Sequence, residues 1–423
     1  MITGQRTTTN EQNMSTSPHQ RLFLASCVAL VVTSMTFAIR AGILSQLGQD
    51  FQLSGTQLGW ISTMAFWGFP IATVVGGLLY NSVGPRKLMW VAFGAHLLGL
   101  VLTIQAGGFW GLLISTFFIG FANGSVEAAC NPLIADMYPD RQTTMLNKFH
   151  VWFPGGMVIG SLVSQGMTGM GLGWQAQIAI MIAPTLLYGW LIFGQTFPKP
   201  ENIESSTVVN ARSVLHPLFL FMALCMTLTA TTELGTVQWV EKILSKAGAQ
   251  PMLILALVTG LMAVGRYFAG PVIHRLNPIG VLLASAVIST LGIGLMSIAT
   301  GPLVYVAAVL FAVGGMYFWP TMLGFTSEYL PQTGALGMGL IGGAGMLGAG
   351  LWQPVIGGWL DQEEAQALAS GLSEDAAKLA AGQATLDNLA IFPFVLIFAF
   401  GALYFFRHRL AAKAPREEVA ELV

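Results

Sequence analysis

The chain has 423 residues, 54% of them hydrophobic and 9% charged, and a formal net charge of −1. A soluble domain carries about 25% charged residues, so this composition excludes an aqueous fold and makes lipid the solvent; the near-neutral charge gives no footing for nucleic acid. Cys27, Cys130 and Cys225 lie inside apolar runs without metal-ligand spacing, which excludes a disulfide framework and a metal centre.

Residues 1–20 are polar and read as an N-terminal tail. The first apolar run, 22–48, is followed by no small-residue cleavage site and is expected to stay as a helix. Further runs fall near 56–80, 88–107, 109–138, 147–170, 174–197, 214–244, 251–273, 279–299, 303–329, 335–360 and 389–407. Each reaches the roughly 20 residues that a membrane crossing needs. The expected fold is an all-α polytopic membrane protein, with twelve transmembrane helices in two pseudo-symmetric six-helix bundles. A polar linker, 198–213, separates an N-terminal bundle (21–197) from a C-terminal one (214–408), and 409–423 form a second tail. The acidic stretch 361–387 is expected as a solvated loop rather than an amphipathic helix.

Basic residues fix the expected orientation. Arg6, Arg21, Arg86, Lys87, Arg141, Lys148, Lys199, Arg212, Arg275, Arg407, Arg409, Lys413 and Arg416 share one side, against Lys242, Lys246 and Lys378 on the other. The positive-inside rule then puts both termini and the linker in the cytoplasm, with the helices in an inner membrane.

The halves echo each other. Gly77-x-x-x-Asn81-Ser82-x-Gly84-x-Arg86-Lys87 is matched 193 positions on by Gly270-x-x-x-His274-Arg275. Asp136-Met-Tyr-Pro139 is matched 192 positions on by Glu328-Tyr-Leu-Pro331, and Gly155-Gly156 finds its counterpart in Gly342-Gly343. Such spacing indicates an ancestral duplication of six helices.

Four ionisable residues lie deep within the spans: Arg40, Glu127, Glu233 and Arg266. At that depth a charge is costly unless paired or wetted, so each is a candidate for function. Asn123, Glu127 and Asn131 recur every fourth residue and share one helix face. Small residues on or beside that stripe, Gly120, Gly124 and Ala128, are expected to leave room for water or substrate. Glu127 is the first choice for a carried proton, with Glu233 and His150 as alternatives. Three roles stay open for Arg40: a partner for Glu127 or Glu233, a receptor for a substrate carboxylate or phosphate through its planar fork, or a permanent ion pair between helices. Glu233 stands among Thr229, Thr232 and Thr236, followed by Gln238 and Trp239; the threonines are suited to bonds with the backbone or with substrate hydroxyls. Trp239, Tyr317, Trp319 and Trp352 offer aromatic walls to a sugar ring or another apolar face, with core packing as the alternative for each. Arg266, near the end of its span, reads as structural or gating. The glycine pairs are expected to permit close helix approach.

The chain resembles the major facilitator superfamily over nearly its whole length, and within it the fucose:proton symporter family. Gly77, Gly84, Arg86 and Lys87 fit the superfamily loop G-x-x-x-D-R-x-G-R-R/K, with Asn81 and Ser82 in place of the acid and first arginine. Phe51-x-Leu53-Ser54-x-x-Gln57-x-Gly59, Glu127-x-x-x-Asn131-Pro132 and Leu146-Asn147 carry the closer resemblance. In the family the glutamate at the position of Glu127 is proton-linked. Ala41, after Arg40, stands near the place of its second acid, and His150 and Phe153 stand for its usual glutamine and asparagine. The resemblance implies proton-coupled uptake of a small polar solute such as a sugar, by alternating access, in a monomer needing no cofactor. It also implies gating by the loops at Gly77, Asn81, Gly84, Arg86, Lys87 and Arg275. The rivals are an organic-anion transporter with Arg40 as receptor and a non-transporting receptor or scaffold. No phosphate-binding loop, nucleophile elbow or metal-ligand cluster speaks for an enzyme.

Overall fold

A computed structural model describes residues 18–138, 145, 148–198, 213–330 and 333–407. Arg141, Leu146, Asn147, Lys199 and Arg212, both tails, and the side chains of Asn81, His274 and Glu328 lie outside the described part.

Local signals set the helix boundaries. The N-terminal half comprises α1 (Pro18–Phe51), α2 (Gly55–Val83), α3 (Pro85–Ile104), α4 (Phe109–Met137), α5 (Trp152–Gly169) and α6, whose pieces are Trp174–Ala179 and Ile182–Ile192. Ser54 and Gln57 form a reciprocal capping box that starts α2. The second half comprises α7 (Pro217–Ala230, a π-turn at Thr231–Gly235, then Thr236–Gln238 and Val240–Leu244) and α8 (Pro251–Tyr267). It continues with α9 (Ala269–Ile298), α10 (Leu303–Gly315 and Phe318–Tyr329), α11 (Gly334–Ala369) and α12 (Glu374–Phe405). Among the described residues, ten helices are long and apolar enough to cross a membrane. The other two, α5 and α8, have 18 and 17 residues, near the lower limit for a crossing. This is the expected all-α architecture of two six-helix bundles.

The duplication is visible in the backbone. Gly84 turns with φ 84°, and Asn277, 193 positions on, turns with φ 54°. Each stands directly before a proline, Pro85 or Pro278, whose fixed φ suits the first turn of a helix. Asparagine is among the few residues besides glycine that tolerate this region; here its Oδ1 also accepts the backbone N–H of Gly280 at 3.0 Å.

The small residues of α4 do a different job from the one expected. A Cβ on Gly120 would lie 2.3 Å from the carbonyl oxygen of Ala65, and one on Gly124 2.1 Å from that of Phe69. These glycines are the contact surface between α4 and α2, backbone against backbone, and leave no room there for water or substrate. The glycine pairs divide. Gly156 is pressed against α1, where a Cβ would meet Ser34 Oγ at 2.0 Å, whereas Gly155, Gly342 and Gly343 have no neighbour closer than 3.6 Å.

The stretch 361–387 corrects another expectation. It is helical, forming the outer parts of α11 and α12 around a tight turn at residues 370–373. Alanine-rich sequence favours the helix, and Ser373 caps α12 with Glu374 and Asp375 in its first turn. Ala377, Ala381 and Leu386 are buried beneath it. At 36 residues, α11 is about 54 Å long and outruns a hydrocarbon core of about 30 Å.

The halves meet along a seam, chiefly α2 against α11, with α5 against α8 and α1 against α7. At the end where α1 passes into α2, Gly55 touches Gly357, and Gly59 touches Gln353 and Pro354, without side chains intervening. Farther along, Thr63 Oγ1 donates to the Gly350 carbonyl at 2.8 Å and Trp67 Nε1 to the Leu347 carbonyl at 3.4 Å. Asp361 accepts the backbone N–H groups of Gly55 (2.7 Å) and Thr56 (3.0 Å), capping α2 from the other half. Ser45 and Glu241 add a further bond across the seam, Oγ to Oε2, at 2.6 Å.

The apolar core follows the same division. At this end one core mixes both halves, from Met35 and Phe66 to Val237, Ile356 and Leu389. Toward the opposite end, where α2 passes into α3, it splits in two. One part is drawn from Leu22 to Ile192, the other from Phe219 to Leu403. The molecule is sealed at one end and parted at the other.

Candidate functional site

Three polar groups lie along or beside the seam. In the first, on α4, Asn131 Nδ2 donates to Glu127 Oε2 at 2.7 Å, and His150 Nε2 lies 3.0 Å from Asn131 Oδ1 and 4.0 Å from the same carboxylate oxygen. The spacing of four residues brings Glu127 and Asn131 together on one helix face, as the sequence implied. The Glu127 side chain is 12% exposed and that of His150 45%, so the imidazole is the exposed member of the group. Asn123, on the same stripe, is sealed away from it. Its amide donates to Thr36 Oγ1 (3.0 Å) and its oxygen pairs with His96 Nε2 (2.8 Å), whose other nitrogen meets Tyr188 Oη at 2.9 Å. Both polar atoms of Asn123 are occupied in packing α1, α3, α4 and α6, leaving none for a ligand in this arrangement.

In the second group, Arg266 Nη2 on α8 meets Glu233 Oε1 at 3.1 Å and its Nε donates to the Met316 carbonyl at 2.9 Å. Tyr317 Oη donates to the Gly265 carbonyl at 3.2 Å. These bonds tie α7, α8 and α10 together inside the second half, so Arg266 acts between helices of one bundle and not between bundles. Glu233 sits within the π-turn Thr231–Gly235, a distortion that recurs at functional sites. The threonines beside it spend their hydroxyl protons locally: Thr229 on Met226, Thr232 on Leu228 and Thr236 on Thr232, all backbone carbonyls.

In the third group Arg40 pairs with neither acid suggested by the sequence. Both are already engaged, Glu127 by Asn131 and Glu233 by Arg266. Arg40 instead crosses the seam, Nη2 to Gln238 Oε1, at 3.1 Å. Its guanidinium carbon lies 5.0 Å from the Phe37 ring centroid and 6.0 Å from that of Phe66, and the residue is 5% exposed. Among the described residues no carboxylate pairs with it. One residue on, Trp239 is fully buried and donates to Gln353 Oε1 at 2.9 Å. Thr36 and Asn123 fix the level of the groups. Arg40 stands one turn beyond Thr36 toward the sealed end and Glu127 one turn beyond Asn123 the other way, about 12 Å apart along the bundle.

The remaining candidates scatter. Trp352 packs edge-on to Phe392 with centroids 4.7 Å apart, and Trp319 lies under Gly342 and Gly345 of α11. Arg86, Lys87 and Arg275 are exposed at the parted end, and Gly77 has open space where a side chain would be. Beside them Tyr80 Oη donates to Asp136 Oδ2 at 2.8 Å, joining the ends of α2 and α4. Sequence reasoning passed over His96, Glu241, Gln353 and Asp361 and gave Gln238 no role. A polar side chain interrupting an apolar run was the available signal for His96, Gln238 and Gln353.

The Major Facilitator Superfamily matches residues 24–353. Among curated relatives, the 3-(3-hydroxy-phenyl)propionate transporter of Escherichia coli is 24% identical over 358 residues, 79% of this chain and 86% of that protein. Myo-inositol transporter 1 of Candida albicans is 24% identical over 228 residues, half of this chain, and the chain spans only 41% of it. A solved bacterial homologue of the human lysosomal transporter Spinster superposes with a TM-score of 0.74 at 15% identity, covering 94% of this chain and 98% of that one. These relatives are transporters, not enzymes, and the apolar helices make this an integral membrane protein. A match over well over half of the sequence, together with the two six-helix bundles, shows that the chain belongs to the Major Facilitator Superfamily.

Proposed function

We propose that this protein is a proton-coupled secondary transporter of a small organic solute, working by alternating access of the two bundles around the seam. The observation that carries this is the Glu127–Asn131–His150 group, a carboxylate held by a neutral amide that in turn meets a half-exposed imidazole. A carboxylate without a fixed cation can change protonation as its surroundings change, and an intramembrane acid is costly enough to imply use. The names of the relatives support a small polar or acidic solute, an inositol in one case and an arylpropionate in the other. The distribution of Lys and Arg supports a cytoplasmic location for the parted end. In this reading the structure is open inward. A cysteine placed at Ser370 then reacts with an impermeant thiol reagent only from outside; labelling from within reverses the orientation.

The test of coupling is a thermal-shift screen of purified protein with sugars, polyols and organic acids, followed by uptake of the ligand found into vesicles. Glutamine keeps the shape of a protonated glutamate but releases no proton. Glu127→Gln is expected to abolish uphill accumulation driven by a pH gradient while leaving solute exchange. Accumulation as strong as in the wild type rules out Glu127 as the proton carrier.

A second reading, transport of an organic anion, is favoured by one specific observation: the buried Arg40 has no carboxylate partner among the described residues.

A further inference from the structure

Arg40 and Gln238 form a donor-rich pair. Gln238 is 2% exposed, and its Oε1 is used by Arg40. Its Nε2 has no acceptor, and neither has the Nε of Arg40. Turning the amide over does not help, because it would set a nitrogen donor against the guanidinium. An arginine has donors only, a glutamine contributes two more, and two of these nitrogens, with three N–H groups between them, are left buried and unused. Every nearby demand is for an acceptor.

The charge balance points the same way. A buried guanidinium without a counter-charge is among the costly arrangements in a protein interior. The carboxylates that the sequence could offer are spoken for. Glu127 is held by Asn131 and Glu233 by Arg266, while Glu241 accepts from Ser45 and Asp361 caps α2. A hydroxyl would fill one donor yet leave the charge uncompensated. A carboxylate is acceptor-only, carries the missing charge, and matches the planar fork of arginine.

We infer that Arg40 and Gln238 are a carboxylate-binding subsite, and that the solute is a small organic monocarboxylate with an apolar or aromatic body. The rings of Phe37 and Phe66 beside the guanidinium supply the apolar surroundings for that body. The subsite has one wall in each half, Arg40 on α1 and Gln238 on α7. A carboxylate gripped by both therefore stabilises the arrangement in which these walls are together, which is the way a ligand shifts a two-state equilibrium. The inference rests on the transport reading and deepens it by naming the substrate class.

The experiment compares benzoate, 3-phenylpropionate and hexanoate with their amides, by calorimetric titration of the purified full-length protein, with glucose as a neutral polyol. At least one acid should bind about 30-fold or more tightly than its amide, the scale set by a desolvated charge pair. The decisive variant is Gln238→Glu, which supplies an internal carboxylate to Arg40 and avoids stranding a charge. It should raise the melting temperature and weaken the acid by about 30-fold or more, leaving the amide unchanged. Three results each overturn the inference: equal binding of acid and amide, unchanged acid binding by Gln238→Glu, or binding of glucose but of no acid. Vesicle uptake keeps the two readings apart. Acid binding without uptake removes the transport reading alone, and glucose uptake without acid binding removes this inference alone.

Discussion

Two buried glutamates, one in each bundle, are compensated in opposite ways. Glu233 faces a guanidinium at 3.1 Å that is itself anchored on the Met316 carbonyl. Glu127 faces an amide at 2.7 Å and, farther off, a half-exposed imidazole. Protonating an acid that faces a guanidinium takes the counter-charge away from the arginine. An acid held by neutral or titratable groups has no such anchor. The same side chain thus makes an ion pair between helices in one bundle and a bond to a neutral amide in the other, and the neighbour makes the difference.

The comparison breaks first at Arg266. Arg266→Gln strips Glu233 of its counter-charge and should cost up to about 3 kcal/mol of stability, read by thermal or denaturant unfolding in detergent. Adding Glu233→Gln should recover most of that loss, since two neutral amides can bond to each other. If the double variant is no better than the single one, the ion pair is not what ties these helices. The smallest effect belongs to His150→Gln, which should change stability by less than about 1 kcal/mol, because the ring is 45% exposed and 4.0 Å from the acid. A loss as large as that at Arg266 would make the Glu127 group a structural tie after all and erase the contrast.

The helices were legible because hydropathy follows the hydrocarbon thickness, and where that thickness ends the signal ends too. Residues 361–387 show this. They are as helical as the spans they extend, but polar and alanine-rich, since they stand outside the apolar layer. The duplication was legible in the Gly77 and Gly270 loops, yet its sharpest trace, Gly84 and Asn277, was missed because the two residues differ in type and agree only in backbone angle. In the candidate site, Glu127 with Asn131 could be read from a four-residue spacing. The partner of Arg40 could not: it lies 198 positions away and carries no charge to announce itself. The glycines of α4 misled because a missing side chain serves equally to make space or to let a backbone fill it. Only the neighbouring helix decides, and here α2 fills it.

The face of α2 that meets α11 thickens along its length, from Gly55 and Gly59 through Thr63 to Trp67. A face that widens in this way favours a tilt between the bundles, and Gly350 of α11 takes up part of the width of Trp67. Under the proposed alternating access, Trp67, the largest of the four, is the natural place for a fulcrum. It stands about 12 Å along the axis from Gly59 and about 24 Å from Val83, at the helical rise of 1.5 Å per residue. By the proportions of a lever, a small separation at the thin end is returned at the far end about twofold and in the opposite sense. Rocking about that point would turn a parting of the sealed end by the width of a methyl group into an approach of the other end by roughly two such widths.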